Sequence, residues 1–248
     1  MNRRAVWFLV ATLVLGGVLF HRYGRRLYVP VVQRFAGRRT LANALATCGP
    51  AAEARLRPAF EGAGVAYPPA EVALVAFKEE RRLEVWARPG DGPWRFVRAY
   101  PILGASGHAG PKLREGDRQV PEGRYRVDAL NPSSNYHLSM RLDYPNADDR
   151  RRGAADGRSD LGFDIFIHGG DLSIGCLAVG DAPIEDLFTL VAAVGTDRVR
   201  VLIAPNDLRG GRPAVRHPEA PPWVDDLYAT LRTELAPFER SRERAAMP

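Results

Sequence analysis

His168 and Cys176 are the two side chains in this sequence best suited to covalent chemistry, and they stand eight positions apart in the run FDIFIHGGDLSIGCLAVGD. A thiol becomes a nucleophile only as the thiolate, so it needs a base within reach, and an imidazole is the usual one. Between them lies a glycine-rich stretch, Gly169-Gly170 and then Gly175 directly before the sulfur. Glycine lets backbone N–H groups turn toward a developing oxyanion, so the N–H groups of Gly175 and Cys176 are the expected oxyanion hole. This layout points to acyl transfer through a thioester. A tight hairpin would set Cys176 opposite Ile165 and away from the ring, so the segment from Gly169 to Gly175, including Ser173, must form a wide loop.

A second dense motif is GPKLREGDRQVPEG, from Gly110 to Gly123. Its glycine and proline punctuation predicts a long shaped loop carrying Lys112, Arg114, Glu115, Asp117 and Arg118. Lys112, Glu115 and Asp117, with Tyr136 and Tyr144, are the candidate substrate-binding residues. The charges also fit a solvated turn, and the alternation around Tyr136 also fits a core position. Asp164 is four strand residues from His168, about 13 Å, too far to orient its ring. A backbone carbonyl between Gly169 and Ser173 is the better partner. His108, His137 and His168, with Cys176, could gather around zinc, but no short His-x-x-His or Cys-x-x-Cys spacing supports it. No metal and no cofactor is expected.

The elements that must position this pair read mainly as strands. Expected strands run over 72–77, 83–87, 94–103, 124–130, 136–142, 163–168 and 198–204. In the fifth, Tyr136, Leu138, Met140 and Leu142 alternate with His137, Ser139 and Arg141. The sixth places His168 on its wet or cleft-facing side. One helix follows the thiol: Asp181 as cap, Pro183 in the first turn, Ile184, Leu187, Phe188, Val191 and Val194 as the buried stripe, Gly195 as the stop. Earlier, two short helices are expected over 40–47 and 50–57, broken at Gly49-Pro50, with Thr40 as a cap. A C-terminal helix starts near Pro221 and runs to about Leu235, with a frayed charged tail. The Arg- and Asp-rich stretch 148–160 reads as a mobile surface loop.

The chain of 248 residues, 46% of them hydrophobic, can bury one sizeable core with extensions. Its charge is +6, carried almost wholly by arginine, since Lys78 and Lys112 are the only lysines. That balance suits a polyanionic partner, and the absence of a nucleic-acid motif leaves a carboxylate-rich polymer or a lipid surface. Ala5 to Phe20 is apolar apart from Thr12, between Arg3-Arg4 and Arg22, Arg25 and Arg26. Sixteen helical residues span about 24 Å, short of the ~30 Å hydrocarbon core unless flanking arginines snorkel. The expectation is an uncleaved anchor in preference to a cleaved signal peptide, since no small-x-small site follows. Of the two cysteines, Cys48 reads as a buried or idle thiol.

Three segments in order, HGGDLSIGC, GPK-x-x-EGD-x-x-VPEG and NP-x-S-x-Y…YPN, closely resemble the YkuD-type L,D-transpeptidase family, in its YafK-like branch. Ile174, Ala178 and the short His-to-Cys spacing depart from the broader family pattern and fit that branch. The resemblance implies a β-rich α+β catalytic domain of packed mixed sheets with few helices. It implies Cys176 as nucleophile, His168 as base, and Gly169, Ser173 and Gly175 as shapers of the thiol loop. The implied partner is the peptidoglycan stem peptide, with a wall-attached lipoprotein as a further one and the inner membrane through the N-terminal helix. The resulting division is an anchor or signal segment over 1–27, a helical connector over 28–70, the catalytic domain over 71–208, and a C-terminal helix and tail over 209–248. The expected location is the periplasm, by tether or by export after cleavage. An amidase of the same family releasing a lipoprotein, a non-catalytic wall-binding module and a zinc hydrolase are the alternatives.

Overall fold

A computed structural model describes residues 3–239. Its central feature is one mixed sheet of eight strands in the order β3-β2-β1-β8-β4-β5-β6-β7. The strands are β1 (Glu71–Phe77), β2 (Arg82–Arg88), β3 (Arg95–Pro101), β4 (Gly123–Ser134), β5 (His137–Leu142), β6 (Phe166–His168), β7 (Leu177–Ala178) and β8 (Val199–Ala204). Two neighbouring pairs are parallel, β1 with β8 and β6 with β7; the others are antiparallel. The long strand β4 is the joint of the sheet. Its first residues pair with β8, the later ones pair with β5, and register shifts at Val127/Ala129 and Asn131/Ser134 bend it between the two.

Both faces of the β1/β2/β8 region are buried. Val72, Leu74, Ala76, Leu83, Val85, Val201 and Ile203 belong to the main core. The helices α3 (Leu41–Ala63) and α5 (Asp181–Val194) contribute their buried stripes to that core. Ala73, Val75, Phe77, Trp86, Leu202 and Ala204 form a second core with Val224, Leu227, Tyr228, Leu231 and Leu235 of α6 (Val224–Leu235). A central strand buried on both sides must be apolar at every position, which is why EVALVAF shows no alternation.

Several elements differ from what the sequence suggests. α3 is one helix of 23 residues carrying Pro50 and Pro58 inside it, where a break at Gly49-Pro50 was expected. Ala44, Cys48, Ala52, Leu56, Phe60 and Ala63 repeat at helical spacing and are all buried, so one continuous face crosses the proline. Packing along that face outweighs the lost backbone hydrogen bond. Thr40 caps the helix as expected, its hydroxyl accepting from Asn43 N at 3.1 Å. The stretch 148–160, expected as a mobile loop, begins with a short helix, α4 (Ala147–Ala155), started by a capping box between Asn146 and Asp149. The connector after the N-terminal segment is helical, as expected, and begins as α2 (Arg25–Ala36).

The N-terminal segment forms α1 (Arg3–Tyr23), with Trp7, Phe8, Leu13, Val14 and Leu15 exposed. Among the described residues, however, no helix is long and apolar enough to cross a membrane. The spanning anchor is therefore not shown. At the other end, the boundary expected after residue 208 runs through packed structure, because α6 completes the second core and Arg209 ion-pairs with the buried Glu84 of β2. The final residues of the expected tail, 240–248, lie outside the described residues.

Candidate active site

β6 and β7 set the geometry of the thiol and the imidazole. They run parallel, with Ile167 opposite Leu177 and His168 opposite Ala178. Carried back two residues, the same register sets Cys176 beside Phe166. The N–H of Phe166 points at the sulfur. In a parallel pair, facing residues project to the same side, so Phe166, His168, Cys176 and Ala178 share one face. His168 and Cys176 are then diagonal neighbours with Cα atoms about 8 Å apart, close enough for an imidazole and a thiol to lean together. The loop 169–175 makes this possible by carrying the chain back to the start of a parallel neighbour instead of closing a hairpin. It is the wide loop the chemistry requires.

Each end of that loop is tied. Gly170, at φ +70, donates its N–H to Asp181 Oδ1 at 2.9 Å. Asp181, expected as a helix cap, thus holds the loop instead. Gly169 is packed so closely that a Cβ there would lie 2.5 Å from the Tyr136 carbonyl oxygen and 2.7 Å from Asp181 Oδ1, which leaves room for glycine alone. At the other end, Ser173 Oγ accepts the Cys176 N–H at 3.0 Å and donates to the Cys176 carbonyl at 2.6 Å. Gly175, at φ +97, donates its N–H to Ser106 Oγ at 2.6 Å.

These two contacts correct the expected oxyanion hole. The N–H groups of Gly175 and Cys176 are both engaged by serine hydroxyls, so neither is open to an incoming carbonyl in this structure. Ser106 was missed in the sequence because it lies 69 residues away from Gly175 and in no motif. Its own hydroxyl donates to the Arg118 carbonyl at 2.7 Å, which fastens the charged loop to the thiol loop.

His168 is buried, not on a wet face as the alternation suggests. Its ring lies 4.4 Å from that of Tyr136, centroid to centroid, tilted by 35°. Nδ1 stands 2.6 Å from the Gly169 carbonyl oxygen. A carbonyl can only accept, so Nδ1 carries a proton, and in the neutral ring the lone pair is on Nε2. The backbone carbonyl expected as the orienting partner is in place. Asp164 takes a left-handed conformation, φ +57, outside the strand, and its carbonyl oxygen is 3.8 Å from Cys176 Sγ. Burial pushes the Cys176 thiol up; the Asp164 carboxylate adds to this, while the Phe166 N–H and the Lys112 ammonium oppose it.

The candidate substrate residues divide. Lys112 bears on the thiol electrostatically, yet its Nζ is committed to Asp117 Oδ1 at 2.6 Å and the Arg114 carbonyl at 2.8 Å. Asp117 also accepts the N–H groups of Leu113, Arg114 and Gln119. Burial raises this carboxyl, and those bonds more than offset it, holding it below the ordinary carboxylate value. Lys112 and Asp117 are thus the clip that shapes their loop. Glu115 is exposed beside them. Tyr136 is half-buried and forms the wall over His168. Tyr144 is buried, with its hydroxyl donating to the Leu161 carbonyl at 2.7 Å, so it is a core residue and not a cleft wall. The three histidines do not gather. His108 stacks on His217 at 4.4 Å, and His137 Nε2 meets Glu185 Oε1 at 2.9 Å.

The model of the YkuD family, an L,D-transpeptidase catalytic domain, matches residues 71–203. The chain belongs to that family. It is 36% identical over 139 residues to "Putative L,D-transpeptidase YafK" of Escherichia coli K12, and equally to its counterpart in Escherichia coli O157:H7. The match covers 54% of this chain and 54% of the relative, so the chain spans about half the length of the curated relatives it matches. Among solved structures, the helical cell shape determining protein Pgp2 from Campylobacter jejuni aligns with a TM-score of 0.46 and 23% identity, over 55% of this chain and 48% of that one. Bd1075 of Bdellovibrio bacteriovorus aligns at 0.42 and 19%, over 70% and 57%. The mixed curled sheet with few helices described above is the YkuD fold.

Proposed function

We propose that this YkuD domain is a cysteine acyltransferase acting on peptidoglycan stem peptides through a thioester on Cys176. The observation that carries the reading is the parallel β6/β7 register, which puts a thiol and an imidazole anchored through Nδ1 on one face. His168 Nε2 takes the thiol proton as the sulfur adds to the carbonyl on the L-centre of diaminopimelate. The tetrahedral centre then collapses, the C–N bond breaks, and the same proton passes to the departing D-alanine amine. An amine acceptor attacks the thioester, loses a proton to His168 and leaves the sulfur as thiol again. Water in place of the amine gives the amidase outcome with the same residues. Because the Gly175 and Cys176 N–H groups are held by serine hydroxyls, substrate must displace at least one of them before the oxyanion is cradled.

The exposed apolar side chains of α1 and the net positive charge support a domain held at a membrane surface outside the cytoplasm, facing a carboxylate-rich wall. Alkaline extraction of membrane fractions tests the tether: protein released into the soluble fraction would argue against it.

Intact-mass analysis after incubation with a carbapenem tests the nucleophile. One covalent adduct on the native chain and none on Cys176→Ala is the expected result. An adduct-free native chain would favour the non-catalytic wall-binding module. Product analysis with purified muropeptides and a free D-amino acid then separates exchange from hydrolysis; release of a wall-bound lipoprotein would identify the amidase.

A further inference from the structure

We infer that Cys48, His137 and Glu185 form a binding site for a divalent cation of the zinc class, separate from the Cys176 centre. The three residues come from α3, β5 and α5, elements with no local reason to converge. Their ligating atoms, the Cys48 sulfur, a His137 ring nitrogen and a Glu185 carboxylate oxygen, all lie within 4.8 Å of one another. Thiolate, imidazole and carboxylate are the donors that zinc accepts, at about 2.0–2.3 Å, which separates ligand atoms by roughly 3–4 Å. The 2.9 Å contact between His137 Nε2 and Glu185 Oε1 has to open by less than about 1 Å to admit the ion. Water completes the fourth position.

Two features around the triad favour ligation over an ordinary ion-pair cluster. His137 is held at φ +77, a backbone conformation that a side-chain-bearing residue rarely adopts, at the start of β5 opposite the register shift in β4. This costs energy and directs the ring toward α5 and α3. The flanking arginines also leave the ligand atoms available. Arg55 Nη2 holds Glu185 by the other oxygen, Oε2, at 3.0 Å, so Oε1 stays turned to the triad. Arg39 Nη2 donates to Cys48 Sγ at 3.3 Å, the kind of outer contact that stabilises a metal-bound thiolate. Binding releases the Cys48 thiol proton to solvent and needs the lone pair of His137 Nε2, with the ring proton on Nδ1. The ion would join α3, α5 and the residue next to Tyr136, and so fix the ring that covers His168.

The test is zinc titration by calorimetry on the full chain carrying Cys176→Ser, so that the other thiol cannot compete. One equivalent should bind, and adding Cys48→Ser or Glu185→Gln should weaken it at least tenfold. Cobalt in place of zinc should give a thiolate-to-metal charge-transfer band that disappears with Cys48→Ser. Far-ultraviolet circular dichroism of both variants checks folding; if Cys48→Ser is unfolded, Glu185→Gln decides. No stoichiometric binding, binding indifferent to Cys48 and Glu185, or binding seen only when Cys176 is intact would each overturn the site.

Discussion

At the scale of single residues, the meeting of a thiol and an imidazole on neighbouring strands was legible because their chemistry restricts what can stand beside them. A cysteine preceded by glycine and eight residues after a histidine is a pattern with few other uses. The hydrogen bonds that tune the pair were not legible, since Ser106 approaches from a distant loop and the Gly169 carbonyl could be narrowed only to a segment. Two predictions belong here. Burial raises the Cys176 thiol, so at neutral pH the free protein should hold S–H and not a standing thiolate–imidazolium pair. Alkylation by iodoacetamide should therefore accelerate with rising pH, with its midpoint above the ~8.5 of a free cysteine. A midpoint below neutrality would show that the ion pair is already formed. Removing the base by His168→Ala should lower turnover by roughly 10²–10⁴, the usual span for a general base. An unchanged rate would transfer the proton to some other group.

Elements are read from pattern, and pattern fails where packing or capping overrides it. The β1 and β2 strands and the α5 stripe were plain from apolar spacing. α3 was not, because Gly49-Pro50 is a strong local stop that a continuous buried face overrules. The two-residue β7 is too short to carry a period at all. α4 was missed although Asn146 and Asp149 stand at capping-box spacing, since charged residues hid the signal. That cap makes a prediction. Burial pushes the Asp149 carboxyl up to about 6, against opposing bonds from the Asn146 N–H and the Tyr125 hydroxyl. An acid raised above its unfolded value of ~3.9 makes the folded state bind the proton more tightly, so stability falls as pH rises from about 4 to about 6. Asp149→Asn removes this loss. Its unfolding free energy relative to the native chain should improve by roughly 2 kcal/mol between pH 4 and pH 7. Denaturant titrations at the two pH values giving the same difference would refute the assignment. Asn146→Ala, which deletes the acceptor for the Asp148 and Asp149 N–H groups, should cost about 1 kcal/mol at either pH.

For the whole molecule, fold class and family were readable because three motifs occur in order along one chain, whereas the limits of the folded unit were not. Sequence alone gives no sign that residues after 208 complete the second core, because α6 reads as an ordinary amphipathic helix. Its stripe covers Phe77, Trp86 and Leu202, and Tyr228 donates to the buried Glu122, which also pairs with Lys78. Arg209 reaches Glu84, a carboxylate with no exposed surface that also accepts from Arg82 and Trp86. Ending the chain at Leu208 would strip the apolar cover from one face of the sheet and leave two buried carboxylates short of partners. Breaking one such pair alone costs about 3–5 kcal/mol, comparable to the whole stability of many domains. By contrast, the buried core begins at Ala44, so removing residues 1–36 takes away little of it. The expected outcome is a sharp thermal transition within a few degrees of the full chain for the N-terminal deletion, and none for the chain ending at Leu208. A cooperative transition in the C-terminal deletion would mean that β1, β2 and β8 can hold their register with one face uncovered, and the folded unit would then end at Leu208, just past the family match at 203.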